Sequence, residues 1–431
     1  MPKSKKKLVF VCNDCGAEFL SWQGKCDACD QWNTLVEFKI SRAQKKSDKG
    51  KPETRVECLA NFTKNTKDKI KTGIRQVDEV LGGGLMAGSL ILMGGEPGVG
   101  KSTLLLEVSS KVKKALYISA EESMSQVGER GKRLGLEIEN IHFLATTDLE
   151  KALTASETSN YDLIIVDSVQ TLESEALATS AGSIAQVKAV GMEFQKIAKT
   201  TGKTIILVGH ITKQGQIAGP KTLEHLVDTV LYLEGEKMGT LRILRATKNR
   251  FGNVNEVGVM QMTEKGLKSV ANPSELFLRD RNKNAIGSVV GCAMEGLRPI
   301  LVEVQALCNK TIFGYAKRMA HGLDANRLCL IAAIIENLLG IKLSQYDIYL
   351  NMVGGIKIKD VGLDLAIAAA IISSCKKQAV NPKICFWGEL GLTGEIRKAS
   401  FDAKRLKEAQ GLNFDYLRPK DLTTLFKSLF G

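Results

Sequence analysis

The residues with the clearest chemical role stand in one glycine-rich loop. Its members are Gly95, Glu96, Pro97, Gly98, Val99, Gly100, Lys101, Ser102 and Thr103. Glycines at this spacing allow successive backbone N–H groups to converge on phosphate oxygens, and a helix that follows adds its positive N-terminal end. Lys101 would bridge the outer phosphates, and the Ser102 hydroxyl would bind Mg²⁺. The loop therefore predicts a site for a nucleoside triphosphate.

Acidic residues follow two apolar runs and can complete this site. Asp167 ends the run Leu163–Asp167, and Glu121 and Glu122 follow the run Ala115–Ser119. The carboxyl ends of parallel strands meet at one edge of a sheet, beside such a phosphate loop. We expect Asp167 to bind the magnesium ion and Glu121, rather than Glu122, to orient the water that attacks the γ-phosphate. Helix capping is the alternative role for these acids.

His210 follows a third apolar run, Ile205–Gly209. A polar side chain at that point would sense the γ-phosphate of a bound nucleotide. A histidine at the end of a strand is equally well explained as a hydrogen-bonded surface residue. Together these residues predict hydrolysis of ATP with Mg²⁺ as cofactor, and Lys101 and Glu121 are the expected catalytic residues.

Four cysteines near the start have the spacing of a zinc site. Cys12 and Cys15 form one Cys-x2-Cys pair, and Cys26 and Cys29 form the second. Each pair turns two thiolates toward one point, so the two pairs predict a tetrahedral Zn²⁺ site of the structural kind. A segment this short also needs a metal, because it buries too little surface to be stable alone. Paired disulfides and a redox switch are the alternatives, and a cytoplasmic setting argues against both.

Apolar runs alternate with helical stretches through the middle of the chain. The predicted strands of this part are Leu90–Met93, Ala115–Ser119, Leu163–Asp167, Thr204–Gly209, Thr229–Glu234 and Leu241–Thr247. Such alternation is typical of a mostly parallel sheet covered by helices. The last third of the chain instead has paired strands across 288–307 and helices over 324–339 and 363–374. That pattern is typical of a separate α+β domain.

At 431 residues, the chain is too long for one ordinary core. The predicted segments are a four-cysteine module at 1–40, a basic linker at 41–60, an α/β domain at 61–272 and an α+β domain at 273–431. The apolar runs are too short or too interrupted to span a bilayer, and the start does not resemble a secretory signal. We therefore expect a cytoplasmic protein without a membrane partner.

Positive charge is concentrated in one part of the sequence. The formal net charge is +13, and residues 39–75 hold 12 Lys and Arg against 4 Asp and Glu. Such an excess favours polyanions through counterion release. A solvated linker explains the same charge, so composition permits a nucleic-acid partner without requiring one.

Three motifs in order resemble the RadA (Sms) family of bacterial DNA-repair proteins. The first is the four-cysteine module. The second is the run Thr72-Gly73-Ile74-x3-Asp78-x2-Leu81-Gly82-Gly83-Gly84-Leu85, which looks like the entry to a RecA-type ATPase core, and the third is Lys248-Asn249-Arg250-Phe251-Gly252. The resemblance covers nearly the whole chain. It implies an α/β fold with a RecA-type P-loop core and a mostly parallel sheet, preceded by a small zinc ribbon and followed by an α+β Lon-protease-like domain.

The resemblance also implies a homo-oligomer, a hexameric ring in which each nucleotide lies between neighbouring copies. On that view Lys248 and Arg250 act as catalytic residues on the neighbour's γ-phosphate, where positive charge stabilises the transferred phosphoryl group. The alternative is that these cations contact DNA phosphates, on a basic hairpin with Arg242 and Arg245. Further DNA-binding candidates are Lys213 and Lys221, which follow the His210 strand.

The C-terminal part, residues 276–431, resembles the proteolytic domain of Lon. Proteolysis of that kind needs a Ser nucleophile activated by a Lys. Gly362 stands at the matching position for the nucleophile, and the partner lysine falls near Ala403 or Lys404. The resemblance therefore implies a domain that is not an active protease. It would hold the ring together or offer a basic surface to DNA.

The function that these features imply is a DNA-dependent, helicase-like ATPase of recombinational DNA repair. It would be a ring-shaped motor on single-stranded DNA that promotes branch migration of branched recombination intermediates together with the RecA recombinase. One alternative is a regulatory RecA-fold ATPase of the KaiC type, which does not translocate DNA. A second is an adaptor that uses nucleotide only to gate protein contacts.

Overall fold

The computed structural model describes residues 8–12, 17–39, 69–158, 160–177, 179–210, 221–235, 240–312, 314–353 and 358–430. The chain divides into two compact units. The first contains Met1–Glu234, Leu244–Asn253 and Met262–Leu267, and the second contains Gly235–Ile243, Val254–Gln261 and Lys268–Gly431. The domain boundaries expected at residues 40, 60 and 272 stay predictions.

A small three-stranded sheet lies near the start of the first unit. Its strands are β1 (Leu8–Cys12), β2 (Glu18–Phe19) and β3 (Leu35–Lys39). β1 pairs antiparallel with both of the others, in the order β2-β1-β3. Cys12 therefore ends the central strand, while Cys26 and Cys29 lie in the connection between β2 and β3.

A mainly parallel sheet forms the larger part of the first unit. Its strands are β4 (Leu90–Gly95), β5 (Ala115–Ser119), β6 (Ile141–Ala145), β7 (Leu163–Asp167), β8 (Thr204–His210) and β9 (Thr229–Glu234). These six run parallel in the order β6-β5-β7-β8-β4-β9. The sheet continues beyond β9 with β10 (Leu241–Asn249), β11 (Val257–Thr263) and β12 (Gly266–Ser269).

In the described residues of this unit, six helices accompany these strands. They are α1 (Arg75–Val80), α2 (Lys101–Lys111), α3 (Met124–Leu134), α4 (Leu149–Thr158), α5 (Ile184–Thr201) and α6 (Lys221–Leu226). Local sequence signals fix their ends. Ser123 and Gln126 form a capping box at the start of α3, and Gly202 ends α5 with a left-handed backbone.

The predicted strands of this unit are confirmed, with ends that differ by up to two residues. Their near-continuous apolar runs are buried along the whole strand in β4, β5 and β7, as expected when helices cover both faces of a parallel sheet. Strand β6 was not predicted from the sequence. It lies at the edge of the sheet and its side chains are only partly buried, so its hydrophobic signal is weak.

The second unit is an α+β fold around a six-stranded sheet. Its strands are β13 (Ser288–Glu295), β14 (Arg298–Lys310), β15 (Arg318–His321), β16 (Tyr346–Met352), β17 (Ile384–Phe386) and β20 (Asp415–Tyr416), and β18 (Glu389–Leu390) and β19 (Ile396–Arg397) form a separate pair. The helices are α7 (Pro273–Leu278), α8 (Ala325–Leu339), α9 (Asp364–Lys376), α10 (Asp402–Gly411) and α11 (Leu422–Phe430). The predicted hairpin and the helices expected at 324–339 and 363–374 are present, and Asp324 caps α8.

Gly362 stands in a short turn just before α9, and a buried cation occupies the space beside it. A Cβ atom at Gly362 would lie 2.8 Å from one guanidinium nitrogen of Arg405. Arg405 is fully buried and pairs with Asp360 at 2.8 Å. Lys404 is instead exposed, with its ammonium 3.3 Å from the Leu297 carbonyl. The lysine expected near position 403 or 404 is present as Lys404, the buried cation beside Gly362 is Arg405, and the loss of proteolysis stays a prediction.

Among the residues that the structure describes, no helix has the length and the apolar character that crossing a bilayer requires.

Candidate nucleotide site and zinc centre

The glycine-rich loop connects the carboxyl end of β4 to the first turn of α2. Gly98 and Gly100 adopt φ angles of 79° and 111°, which other residues rarely adopt. A Cβ atom on Gly100 would also lie 2.5 Å from the terminal methyl group of Met262. The loop is thus held in a strand–loop–helix arrangement whose backbone N–H groups can cradle phosphates at the positive end of α2.

Lys101 lies beneath this loop and is almost fully buried, with 4% of its surface exposed. Its Nζ donates hydrogen bonds to the carbonyl oxygens of Gly95 at 2.8 Å and of Glu96 at 3.0 Å. Burial lowers the pKa of the Lys101 ammonium, whereas the nearby carboxylates of Asp167 and Glu121 act in the opposite direction. The ammonium is therefore pre-positioned at the loop beside two acids.

Asp167 ends β7 beside this lysine, and a buried tyrosine holds it. The hydroxyl of Tyr117, on the adjacent strand β5, donates to Asp167 Oδ2 at 2.7 Å. Burial and the Asp167 carboxylate both raise the pKa of Tyr117 well above its ordinary value, so the phenol keeps its proton. Carboxylate and hydroxyl oxygens are the ligands that Mg²⁺ prefers, so Asp167 and Ser102 fit a magnesium ion bound with the phosphates.

Glu121 and Glu122 are adjacent in sequence but have different partners. Both precede α3, whose first residue is Met124. Glu122 pairs with Arg130 of α3, whereas Glu121 accepts a hydrogen bond from the Ser168 hydroxyl at 2.6 Å. Glu121 therefore faces the end of β7, and Glu122 faces its own helix.

His210 links the acid and the lysine of the site. Its Nε2 lies 3.2 Å from Glu121 Oε1, and its Nδ1 lies 3.4 Å from Lys101 Nζ. Both side chains, His210 and Glu121, remain more than a third exposed, so a ligand can reach them. The structure thus brings together Lys101, Glu121, Asp167 and His210, as the sequence led us to expect, and their individual roles stay predictions.

Tyr117 and Ser168 are site residues that sequence reasoning missed. Ser168 directly follows Asp167, so its position next to the acid was a usable signal. Tyr117 lies inside a buried strand, where a tyrosine is ordinarily a core residue. Only the pairing of β5 with β7 shows that its hydroxyl meets the Asp167 carboxylate.

Lys248 and Arg250 do not join this cluster. Lys248 Nζ donates to the carbonyls of Glu224 at 2.6 Å and of His225 at 3.3 Å, in the last turn of α6. Burial first, and the charge of Arg250 second, lower the pKa of Lys248. Arg250 pairs with Asp228 at 3.3 Å. Both cations are therefore bound to residues 224–228, which form the end of α6 and its connection to β9.

The DNA-binding candidates have uneven support. Lys213 lies outside the described residues, and Lys221 is described only as the first residue of α6. Arg242 is 5% exposed and donates to the carbonyl of Leu241, a position that does not favour contact with DNA phosphate. Arg245 is paired with Glu234 at 3.0 Å. These DNA contacts stay predictions.

The cysteine module shows three of its four expected ligands close together. The Sγ atoms of Cys12, Cys26 and Cys29 lie within 4.8 Å of one another, and Cys15 lies outside the described residues. Cys12 and Cys29 are 3.7 Å apart at sulfur, close to the roughly 3.8 Å that tetrahedral coordination with Zn–S bonds near 2.3 Å requires. Cys12 and Cys26 are fully buried. The arrangement fits a zinc ion.

Comparison with known proteins identifies the family. The chain is 46% identical over 425 residues to the DNA repair protein RadA of Halalkalibacterium halodurans, covering 95% of this chain and 92% of that protein. The Bacillus subtilis RadA is 45% identical over 420 residues, with the same two coverages. The chain belongs to the RadA family of DNA repair proteins. The expected resemblance is confirmed.

Three family models match parts of this RadA-family chain. A rubredoxin metal binding domain matches residues 10–37, which contain the four cysteines. A family of unknown function, DUF7125, matches residues 69–266, and subunit ChlI of Mg-chelatase matches residues 325–417. Among solved structures, the RadB recombinase aligns at 22% identity and a TM-score of 0.39, over 46% of this chain and 99% of that chain.

The family and the metal-binding match confirm two predictions. The fold class is an ATP-binding RecA-like P-loop core with a mostly parallel sheet, a zinc ribbon before it and an α+β region after it. The cofactors are ATP, Mg²⁺ and Zn²⁺. As a RadA-family member, the chain is a DNA-repair ATPase.

Tyr117→Phe is expected to raise the Mg²⁺ concentration that ATP hydrolysis requires. The substitution removes the donor that orients Asp167 and keeps the buried ring. Loss of such a supporting hydrogen bond typically reduces metal affinity roughly tenfold. The measurement is the Mg²⁺ concentration that half-saturates ATP hydrolysis. Tyr161→Phe is the matched control, because that hydroxyl contacts His142 rather than Asp167. An unchanged half-saturation in Tyr117→Phe would leave the tyrosine a packing role only.

Cys26→Ser is expected to abolish zinc binding by the full chain. The purified wild type should contain about one zinc per chain, since a four-thiolate set holds one ion. Elemental analysis of the two proteins measures this directly. Cys329→Ser, which changes an exposed cysteine on α8, should retain the metal. A Cys26→Ser protein that still holds a full equivalent of zinc would contradict the assignment.

Proposed function

We propose that this chain is a DNA-dependent ATPase that works in recombinational DNA repair as a ring, with each ATP hydrolysed at a nucleotide seam. A nucleotide seam is the boundary where one copy holds the triphosphate and the next copy supplies cations to it. Lys101 and Glu121 act from the copy that holds the nucleotide, and Arg250 with Lys248 acts from its neighbour.

The observation that carries this proposal is that Arg250 and the phosphate loop lie at opposite ends of β4. The phosphate loop follows Gly95 at the carboxyl end of that strand. Arg250 is bound to Asp228, which exchanges two hydrogen bonds with Leu90 at the amino end. Five residue steps separate the two ends, or about 16 Å at the rise of a parallel strand. Arg250 therefore cannot reach the nucleotide of its own chain, whereas a neighbouring copy in a ring can present its phosphates to it.

The chemistry at the seam follows from these positions. Backbone N–H groups of the loop and the Lys101 ammonium hold the outer phosphates, and Glu121 orients water for in-line attack. Bound Mg²⁺, held by Ser102 and Asp167, would neutralise part of the phosphate charge. The guanidinium of Arg250 stabilises the charge that grows on the transferred phosphoryl group. His210, between Lys101 and Glu121, is suited to respond to the γ-phosphate.

The proposed partners are nucleic acid, other copies of the chain and a recombinase. We propose that a hexameric ring binds single-stranded DNA and moves branched recombination intermediates together with RecA, in the cytoplasm. Support comes from the family membership, the net charge of +13 and the basic stretch 39–75. The C-terminal unit, in which Arg405 fills the space beside Gly362, would stabilise the ring or bind DNA without proteolysis.

Hydrolysis of ATP with and without single-stranded DNA tests this function in four variants. Wild type should be stimulated by DNA. Lys101→Ala, Glu121→Gln and Arg250→Ala should each lose hydrolysis by at least roughly a hundredfold, because general-base and arginine contributions reach that size or more. Arg133→Ala, which removes an exposed cation from α3, is the control and should match wild type.

The affinity for a fluorescent ADP analogue distinguishes the role of Lys101 in binding the nucleotide from the role of Arg250 in its hydrolysis. Lys101→Ala should lose affinity for it, whereas Arg250→Ala should retain it. Full hydrolysis by Arg250→Ala would refute the action of Arg250 across the seam. Hydrolysis that DNA does not stimulate would favour a regulatory ATPase of the KaiC type over a DNA motor.

A further inference from the structure

Asp228, the carboxylate that binds Arg250, is buried and makes further contacts. Its side chain is 1% exposed and lies between α6 and β9. Oδ2 accepts hydrogen bonds from the Leu90 backbone N–H at 3.0 Å and from Lys199 Nζ at 2.7 Å. Oδ1 faces Arg250 Nη1 at 3.3 Å. A buried carboxylate with this many donors is held in one orientation.

The backbone of Asp228 strengthens the connection to Arg250. The Arg250 N–H donates to the Asp228 carbonyl at 3.1 Å, while the Asp228 N–H donates to the Leu90 carbonyl at 2.8 Å. Two bonds therefore tie Arg250 to one residue, one through the backbone and one through the guanidinium. The Arg250 side chain is nonetheless 54% exposed, so the outer nitrogens of its guanidinium stay available.

Through these contacts Asp228 can affect ATP hydrolysis in two ways. Through Leu90 it connects to β4, whose far end carries the phosphate loop of the same chain. Through Arg250 it connects to the surface that the proposed function assigns to the neighbour's nucleotide. The first route passes along a whole buried strand, whereas the second is a direct contact between the two side chains.

We propose that Asp228 is a positioning residue for Arg250 and therefore acts on the nucleotide of the neighbouring copy, not on that of its own chain. This inference rests on the proposed function of Arg250. Asp228 holds the inner edge of the guanidinium, so that its outer edge points away from the protein in a fixed orientation. Lys199 and the Leu90 N–H bind the other oxygen of the carboxylate, Oδ2, and leave Oδ1 to Arg250.

Asp228→Asn tests the inference in rings that contain two kinds of chain. By itself this variant should hydrolyse ATP with DNA roughly tenfold to a hundredfold more slowly, as expected when a reacting group is misplaced. Its affinity for the ADP analogue should not change. Lys199→Gln removes the other side-chain donor to the same carboxylate and should stay within about twofold of wild type. Asp228→Glu, which keeps the charge but displaces the carboxylate, is a second variant with the same expected loss.

Mixed rings distinguish the two routes. Asp228→Asn chains and Lys101→Ala chains are co-expressed with different affinity tags and purified through both. The Asp228→Asn chain still has an intact phosphate loop, and the Lys101→Ala chain still has a correctly positioned Arg250. If Asp228 acts through Arg250, a seam in which the first chain holds the nucleotide and the second supplies Arg250 is therefore intact. In a random equal mixture that is about a quarter of the seams, so activity should return to about a quarter of wild type. A carboxylate that serves only its own phosphate loop leaves every seam damaged, and the mixture stays inactive.

A parallel mixture of Arg250→Ala with Lys101→Ala chains separates this inference from the proposed function. Recovery in both mixtures supports the inference. Recovery with Arg250→Ala but not with Asp228→Asn overturns the inference and leaves the proposed function intact. If neither mixture recovers while wild type is active, the action of Arg250 across the seam is refuted, and the inference with it. A loss of activity in Lys199→Gln equal to that in Asp228→Asn also overturns the inference.

Discussion

The direction of one parallel strand constrains the rest of the site. β4 lies inside the sheet between β8 and β9, and its carboxyl end must carry the phosphate loop because α2 starts there. The ends of β5, β7 and β8 then bring Glu121, Asp167 and His210 to the same edge. The amino end of β4 is left for Asp228 and Arg250. A single strand thus separates the residues expected to bind a nucleotide from the cation that we propose acts on the nucleotide of a neighbouring copy.

Much of the nucleotide edge could be predicted from the sequence, because its residues are adjacent in sequence to strong signals. The loop from Gly95 to Ser102 is one continuous motif, and Asp167 ends an apolar run that is typical of a buried strand. We also expected Glu121, rather than its neighbour Glu122, to orient the attacking water. In the structure Glu122 is engaged by Arg130 while Glu121 meets Ser168 and His210, and the role of Glu121 stays a prediction.

The remaining features depend on contacts between distant residues, which periodicity does not report. Tyr117 and Asp167 are 50 positions apart, and Asp228 and Leu90 are 138 apart. Neither Tyr117 nor Asp228 belongs to a motif. Similarly, the resemblance to Lon matched Gly362 with the nucleophile and a residue near 403 or 404 with its partner lysine, but it did not indicate the buried cation beside Gly362. The helical register of α10 instead brings Arg405 to the buried side, where it pairs with Asp360.

The central claim is that two copies of the chain are needed to cleave one ATP. The most direct measurement is the hydrolysis rate per chain as the protein is diluted, with the oligomeric state followed at each concentration by mass photometry. The account predicts that the rate per chain falls in step with the loss of rings and is negligible for isolated chains. A separated monomer that hydrolyses ATP as fast as the assembled protein would contradict it.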